Sequence, residues 1–142
     1  MILLDTNVLS ELMKPRASKA VVEWLDQQQP EDLYISAITR AEIELGLNLL
    51  PGGKKRDRLR QAAGEMFEEF VGRCLPFEEF AAVVYGELVA QRQASGRPIS
   101  VEDAQIASIA LVHDLMLASR NTGDFESVHD LSLVNPWREG SG

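Results

Sequence analysis

Five apolar runs of strand length recur along the chain, and longer segments with a helical repeat of apolar residues separate them. The runs are Ile2 to Leu4, Leu33 to Ile35, Leu75 to Phe77, Leu115 to Ala118 and Leu131 to Val134. Strands that alternate with helices are typical of βα units, because the crossover between two parallel strands is usually a helix. The pattern therefore predicts an α/β fold built on a parallel sheet.

Polar capping residues and breakers set the predicted helix ends. Pro51-Gly52-Gly53 separates two helices, and Gly96-Arg97-Pro98 separates two others. The predicted helices run from Asn7 to Met13, from Ser18 through Leu25, from Thr39 to Leu50, from Lys54 to about Arg73, from Glu78 to about Ser95, and from Ser100 through Ala110.

The length of 142 residues, 45% of them hydrophobic, suits one core. We therefore expect a single domain over 1–142, with about 138–142 as a flexible tail. No apolar run approaches the ~18 residues of a membrane span, and no basic segment of a signal peptide precedes the first strand, so we expect a cytoplasmic protein without membrane contact. The single cysteine, Cys74, excludes an intrachain disulfide and is predicted to be a small core residue.

The net charge of -8 argues against a protein that holds nucleic acid by overall positive potential. The placement of the acids is more informative than their number. Asp5 directly follows the first apolar run, and three more acids stand at the head or foot of apolar elements: Glu42, Asp103 and Asp124. None has a basic residue three or four positions further on, where a surface ion pair would place it.

Glu42 has a purely structural alternative. Thr39 and Glu42 have the spacing of a capping box, in which the glutamate satisfies the helix start. Against this, its neighbours on the helix face are Leu45, Gly46 and Leu49, which predict that the side chain borders the interior. An ionised group at such a position needs a partner or a metal ion.

The other three acids have comparable alternatives. Ser100 and Asp103 also have capping-box spacing, Asp5 could form an Asx turn, and Asp124 could be a turn residue after Gly123. All four can nevertheless lie at one edge of one parallel sheet, where ligands bind in such folds. Carboxylates that converge there repel each other unless a cation neutralises them, and Mg²⁺ or Mn²⁺ prefers such oxygen ligands. We predict a site for one or two of these ions.

Several segments together resemble a known family. They are Met1-Ile2-Leu3-Leu4-Asp5-Thr6-Asn7, Ser36 to Ile43, Leu75-Pro76-Phe77, Asp103 to Ala107, Ser119 to Phe125 and Asn135-Pro136-Trp137. In this order, and over nearly the whole chain, they are similar to the PIN domain, and most similar to the VapC and FitB toxins of bacterial toxin–antitoxin pairs.

The resemblance implies a three-layer α/β/α sandwich with a mostly parallel five-stranded sheet. It also implies an Mg²⁺- or Mn²⁺-dependent endoribonuclease that is usually dimeric. A VapB-like antitoxin would hold it inactive and would alone bind operator DNA. The family's acids correspond to Asp5, Glu42 and Asp103. For the fourth position we choose Asp124, with Asn121 as an auxiliary polar group, because relatives differ there.

Auxiliary and substrate-binding residues are also predicted. Thr6 and Asn7 correspond to polar positions of the first motif, and we expect their side chains to hold Asp5 or a water on the metal. Arg120 is the best-placed candidate for a substrate phosphate, and Lys54 and Lys55 open a basic cluster that could steer RNA or could simply be a solvated helix face.

A partner surface and two rival functions remain open. Leu9, Leu12, Met13 and Leu25 could seat an antitoxin helix or belong to an ordinary core. An aspartyl-nucleophile phosphohydrolase also begins with an acid after a hydrophobic strand, but it normally has a second acid where Asn7 stands. A non-catalytic module of the same fold, binding nucleic acid or a partner protein, is the other rival.

Overall fold

A fully parallel sheet of five strands forms the centre of the computed structural model, which describes residues 1–139. The strand order is β3-β2-β1-β4-β5, and all four neighbouring pairs are parallel. The strands are β1 (Ile2–Leu4), β2 (Leu33–Ser36), β3 (Cys74–Leu75), β4 (Met116–Ala118) and β5 (Leu133–Val134). The predicted α/β fold and its five-stranded sheet are confirmed.

Helices connect the strands. They are α1 (Thr6–Leu12), α2 (Lys19–Asp26), α3 (Ala37–Leu49), α4 (Lys54–Glu68), α5 (Glu79–Ala94), α6 (Val101–Val112), α7 (Thr122–Phe125) and α8 (Pro136–Glu139). Within residues 1–139, none of the helices is long and apolar enough to cross a membrane. Of the predicted tail, Arg138 and Glu139 end α8, and residues 140–142 lie outside the described residues.

The sheet is covered on both faces, which gives the three predicted layers. Leu4 packs with Val8, Trp24 and Ile35 on one face, whereas Leu3 packs with Leu117 on the other. Successive side chains of a strand point to opposite faces, so a central strand that is buried on both sides consists of apolar residues only. This explains why the apolar runs are continuous instead of alternating.

Some predicted element ends were wrong. Strand β3 ends at Leu75 because Pro76 has no N–H to donate to a neighbouring strand. Cys74, expected in the core, is exposed because β3 is a two-residue edge strand. Helix α4 ends at Glu68, five residues before Arg73, whose guanidinium instead donates to the carbonyl of Leu33 at 2.7 Å and ties the turn to β2.

Two helices begin earlier than predicted. Asp5, not Asn7, is the N-cap of α1, and its carboxylate accepts a hydrogen bond from the backbone N–H of Thr6. Ser36, not Thr39, is the N-cap of α3, and its hydroxyl accepts from the backbone N–H of Thr39 at 3.0 Å. Glu42 therefore does not belong to a capping box, so the structural alternative for this residue was wrong.

Removal of the cap hydroxyl in Ser36→Ala should leave the buried N–H of Thr39 without an acceptor. We expect the free energy of unfolding to fall by about 1 kcal/mol, with a range of roughly 0.5–2. Urea denaturation followed by circular dichroism measures it. The matched control is Ser127→Ala, at an exposed position, where a change within roughly 0.5 kcal/mol is expected. Equal effects of the two variants would contradict the assignment of the cap.

Candidate active site

Three of the four predicted acids line one open cavity of about 390 Å³. Asp5 follows β1, Glu42 lies on α3 directly after β2, and Asp103 lies in the first turn of α6, which leads into β4. The remaining lining residues are Thr6, Asn7, Ser10, Glu11, Lys14, Arg120, Asn121 and Trp137. Acids that are far apart in the sequence thus converge at one edge of the sheet, as predicted.

Asp5 is the most buried of these acids, with 4% of its surface exposed. Its Oδ1 accepts from the backbone N–H of Thr6 at 2.8 Å. Its Oδ2 accepts from the hydroxyl of Ser119 at 2.7 Å and from the side-chain amide of Asn7 at 3.3 Å. Three donors therefore hold both carboxylate oxygens. Ser119 was missed as a site residue because a serine at a strand end gives no distinctive sequence signal.

Thr6, in the first motif, donates a hydrogen bond to the side chain of Glu42. Its Oε1 accepts from the hydroxyl of Thr6 at 2.7 Å, and the hydroxyls of Thr6 and Thr39 lie 3.0 Å apart. The side chain of Thr6 therefore orients Glu42, and only its backbone N–H contacts Asp5. The prediction that Leu45 and Leu49 face the interior was wrong, since they are 60% and 75% exposed. Glu42 is half-buried because it packs toward α1.

Asp103 and the two candidates for the fourth position differ in placement. Asp103 is half-buried, and its backbone N–H donates to the hydroxyl of Ser100 at 3.2 Å. Asn121 lines the cavity, and its backbone N–H donates to the hydroxyl of Ser119. Asp124 is exposed on α7 and is not among the cavity-lining residues, although its charge reaches Asp103. The choice of Asp124 over Asn121 stays a prediction.

Burial and neighbouring charges raise the pKa of two of these acids, Asp5 and Asp103. Burial raises the pKa of Asp5 from its ordinary 3.8 to about 6, and the charges of Asp103 and Glu42 add to this effect, whereas the hydrogen bonds from Ser119 and Thr6 oppose it. Burial also raises the pKa of Asp103, with smaller contributions from the charges of Asp124 and Glu102. The cleft is therefore a place where negative charge is costly and a cation is favoured.

Two cationic side chains line the same cavity. The guanidinium of Arg120 lies over the ring of Trp137 at 5.1 Å, and the backbone N–H of Arg120 donates to Oδ1 of Asn7. The ammonium of Lys14 lies 3.0 Å from Oε1 of Glu11. Arg120 was among the predicted phosphate contacts. Lys54 and Lys55 were too, but they are exposed at the start of α4 and are not among the residues that line this cavity.

Glu11 and Lys14 were missed by the sequence reasoning. Glu11 is buried, and its second oxygen accepts from the backbone N–H of Ser18 at 2.9 Å. The hydrogen bond from Lys14 is the main cause that lowers the pKa of Glu11. This carboxylate is therefore paired with a lysine, whereas Glu42 and Asp103 form no salt bridge within residues 1–139. The i,i+3 spacing of an acid and a lysine was the available signal.

The donor set fits a hard divalent cation. Asp5, Glu42 and Asp103 offer carboxylate oxygens, and no lysine or arginine forms a salt bridge with them within residues 1–139. Mg²⁺ and Mn²⁺ favour oxygen ligands and keep several waters, so a partial protein ligand set in an open cleft suffices. In the described part of the chain, no three His, Cys, Asp or Glu side chains already form a metal-holding group. The ligand assignment therefore rests on the chemistry and shared cleft of these acids.

Comparison with known proteins identifies the class. The model of the PIN domain family matches residues 2–131. The chain is 44% identical to VapC ribonuclease Y4jK of Sinorhizobium fredii over 138 residues, which is 96% of this chain and 98% of the relative. It is 42% identical to toxin FitB of Neisseria gonorrhoeae over 140 residues, which is 98% of this chain and all of the relative. The chain belongs to the PIN domain family.

Solved structures agree with this assignment. A structure of FitAB bound to an IR36 DNA fragment contains a chain that is 42% identical and superimposes with a TM-score of 0.90, covering 97% of this chain and 96% of that one. A structure of VapBC-1 from nontypeable Haemophilus influenzae gives 30% identity and a TM-score of 0.77, covering 96% and 98%. The three-layer architecture is thus that of the family.

Asp5→Asn should stabilise the protein in the absence of divalent cations. Because the pKa of Asp5 is raised on folding, its ionisation opposes folding, and this cost grows between about pH 4 and pH 6. We expect a gain of at most about 2–3 kcal/mol above pH 6, which disappears near pH 4. Thermal denaturation at pH 4 and pH 7.5 measures it. The control is Glu87→Gln on the exposed surface of α5. A gain that is equal at both pH values would contradict the assigned cause.

Proposed function

We propose that the protein is a VapC-type endoribonuclease that depends on Mg²⁺ or Mn²⁺ and cleaves RNA phosphodiester bonds by hydrolysis. The observation that carries the proposal is the convergence of Asp5, Glu42 and Asp103 in one cleft that also presents Lys14 and Arg120. Relatives that match nearly the whole chain are named ribonucleases, which supports the same chemistry here.

The acids would hold one or two ions, with Asp124 or Asn121 as the fourth group. A bound ion would supply charge stabilisation on the phosphate and would lower the pKa of the attacking water. The protein's own groups do the positioning: Thr6 orients Glu42, and Ser119 fixes Asp5. In the reaction, the water oxygen bonds to phosphorus, the bond from phosphorus to one ester oxygen breaks, and one proton released by the water ends on that ester oxygen.

The rival functions differ in testable ways. A phosphohydrolase would form a covalent acyl phosphate on Asp5, but this carboxylate is 4% exposed and accepts hydrogen bonds from three donors. A nucleophile needs a free oxygen within reach of phosphorus, so the observed contacts count against a nucleophilic Asp5. A non-catalytic binding module would bind RNA and leave it intact. Mass spectrometry of the protein after incubation with phosphomonoesters, and of RNA after incubation with the protein, separates these three functions.

We also propose a VapB-like antitoxin as partner, with operator DNA bound only through it. An apolar groove between α2 and α4 would seat its helix. Val22, Leu25 and Met66 are among the residues that line this groove, and Asp26, Glu65 and Glu69 give it an acidic rim. Of the apolar candidates predicted from the sequence, Leu12 and Leu25 line the groove, whereas Leu9 is fully buried. Related chains are present in the structures of FitAB bound to an IR36 DNA fragment and of VapBC-1, which supports a protein partner here.

A homodimer in the cytoplasm is the remaining part of the proposal. Large apolar side chains are exposed on α3, at Leu45 and Leu49, and on α5, at Phe80 and Val83. A second copy would remove this surface from water, which is the main driving force for association. Light scattering after size-exclusion chromatography should give twice the mass of the chain, and a monomer at all concentrations would contradict it.

Asp103→Asn should abolish cleavage of RNA in Mg²⁺ or Mn²⁺. The substitution removes a charged ligand oxygen, and because loss of even an indirect metal contact costs 10–100-fold, we expect a fall in kcat/KM of at least about 100-fold. The neighbouring acid supplies a matched control. Glu102→Gln changes an exposed side chain on the same helical turn and should retain activity within about threefold of the unmodified protein.

The assay adds purified protein to total bacterial RNA, with each ion or with EDTA, and maps new 5′ ends. Binding of Mn²⁺ by isothermal titration calorimetry should weaken in Asp103→Asn and not in Glu102→Gln. Equal cleavage by both variants, or cleavage in EDTA at the rate in Mg²⁺, would contradict the proposal.

Val22→Glu should prevent antitoxin binding without affecting the nuclease. Val22 is 37% exposed among the apolar side chains of this groove, so an added carboxylate would lose its hydration against the apolar face of a partner helix. We expect affinity for a VapB-like antitoxin to fall at least about tenfold. The matched control is Val112→Glu on α6, where the valine is also 37% exposed. Unchanged affinity in Val22→Glu, measured by biolayer interferometry, would show that the antitoxin binds elsewhere.

A further inference from the structure

A second cavity of about 300 Å³ adjoins the acidic cleft and is apolar. Ile43 and Leu47 of α3 are buried at its base, and Met13, Leu50 and Leu59 form its half-buried walls. Its volume is at the lower end of the range for small-molecule pockets, about 300–1,000 Å³. The reaction proposed above uses none of these five residues, so the cavity has no assigned role.

The two cavities share a wall. Thr6, Ser10, Lys14 and Glu42 line both of them. A group in the apolar cavity therefore lies beside Glu42 and the hydroxyl that orients it. A ligand in the apolar cavity would therefore lie next to the acidic cleft, where the phosphodiester would be cut.

One cation on this shared wall, Lys14, can contact a phosphate. Lys14 is the cationic residue that lines both cavities, and the buried carboxylate of Glu11 lies 3.0 Å from its ammonium. A nucleotide joins a flat group with apolar faces to an anionic phosphate, and proteins commonly bind unstacked bases of single-stranded RNA in this way. The apolar cavity beside a cation matches both parts of that ligand.

We propose that the apolar cavity binds the nucleobase next to the scissile phosphodiester and so sets the sequence preference of cleavage. The inference rests on the proposed ribonuclease function and adds the position and chemistry of one base subsite. Lys14 contacts a phosphate on the shared wall, and aliphatic side chains of α3 and α4 contact the faces of the base.

Gly46 gives a direct way to fill the cavity. It lies within α3 and lines the cavity, and a Cβ added there would meet no heavy atom within 4 Å. Glycine is also a poor helix former. Gly46→Leu should therefore raise Tm while it occupies the space of the base. Gly64→Leu on α4 is the matched control, because Gly64 is also helical, is exposed, has the same open surroundings and lines neither cavity.

The experiment begins with a random-sequence single-stranded RNA pool, whose cleaved ends show which flanking base is preferred. One strand with that base and one with an abasic residue in its place are then compared in Mn²⁺. We expect Gly46→Leu to lower kcat/KM on the intact strand about tenfold and to leave kcat/KM on the abasic strand unchanged. Gly64→Leu should match the unmodified protein on both strands.

A second readout does not need catalysis. In the Asp103→Asn background, fluorescence anisotropy compares binding of the intact and abasic strands with and without Gly46→Leu. If the protein binds the intact strand more tightly than the abasic strand, and Gly46→Leu removes this difference, the result supports the subsite. It does so even if the unmodified protein cleaves no RNA, and in that case only the proposed ribonuclease activity fails.

Three outcomes would overturn the inference. The first is a base preference of Gly46→Leu equal to that of Gly64→Leu. The second is an equal fall in kcat/KM of Gly46→Leu on intact and abasic strands, which would indicate a disturbed Glu42. The third is loss of affinity of Gly46→Leu for a VapB-like antitoxin with unchanged RNA preference, which would assign the cavity to the protein partner.

Discussion

The burial of the Asp5 charge is the constraint on which the rest of the site depends. Its carboxylate stands at the end of the central strand β1, 4% exposed, close enough to Glu42 and Asp103 that their charges add to the burial in raising its pKa to about 6. Such a position is stable only if hydrogen bonds fix both oxygens. Thr6, Asn7 and Ser119 supply these bonds.

The same contacts couple the site to the fold. Asp5 is also the N-cap of α1, so one side chain both starts a helix and faces the cleft. The hydroxyl of Thr6, the first residue of that helix, donates to Glu42 on α3. Ser36 in turn caps α3 where β2 ends. The acids are therefore held by the first turns of helices that begin at the carboxyl ends of parallel strands, where such folds place their ligands.

The elements and three of the acids were predictable because their signals are local. The continuous apolar run of β1 requires burial on both faces, and an acid that follows it without a basic partner is unusual. Contacts made by tertiary structure were not predictable. Ser36 and Thr39 are both good caps three residues apart, and only the folded structure, in which β2 ends at Ser36 and the Ser36 hydroxyl accepts from the N–H of Thr39, decides between them. Leu45 and Leu49 have the helical spacing of core residues yet are exposed.

Lys14 was not predicted as a site residue, because its position also depends on tertiary contacts. Its place in the cleft changes how the net charge of the chain is interpreted. A net charge of -8 suggests poor contact with RNA, but Lys14 and Arg120 lie in the acidic cleft itself. Lys14 is positioned by Glu11, which also accepts from the backbone of Ser18 after a turn that the sequence pattern did not reveal. Phosphate contact therefore depends on local geometry. Because a cation in the cleft would also weaken repulsion between its acids and RNA, ion affinity and RNA affinity would reinforce each other reciprocally.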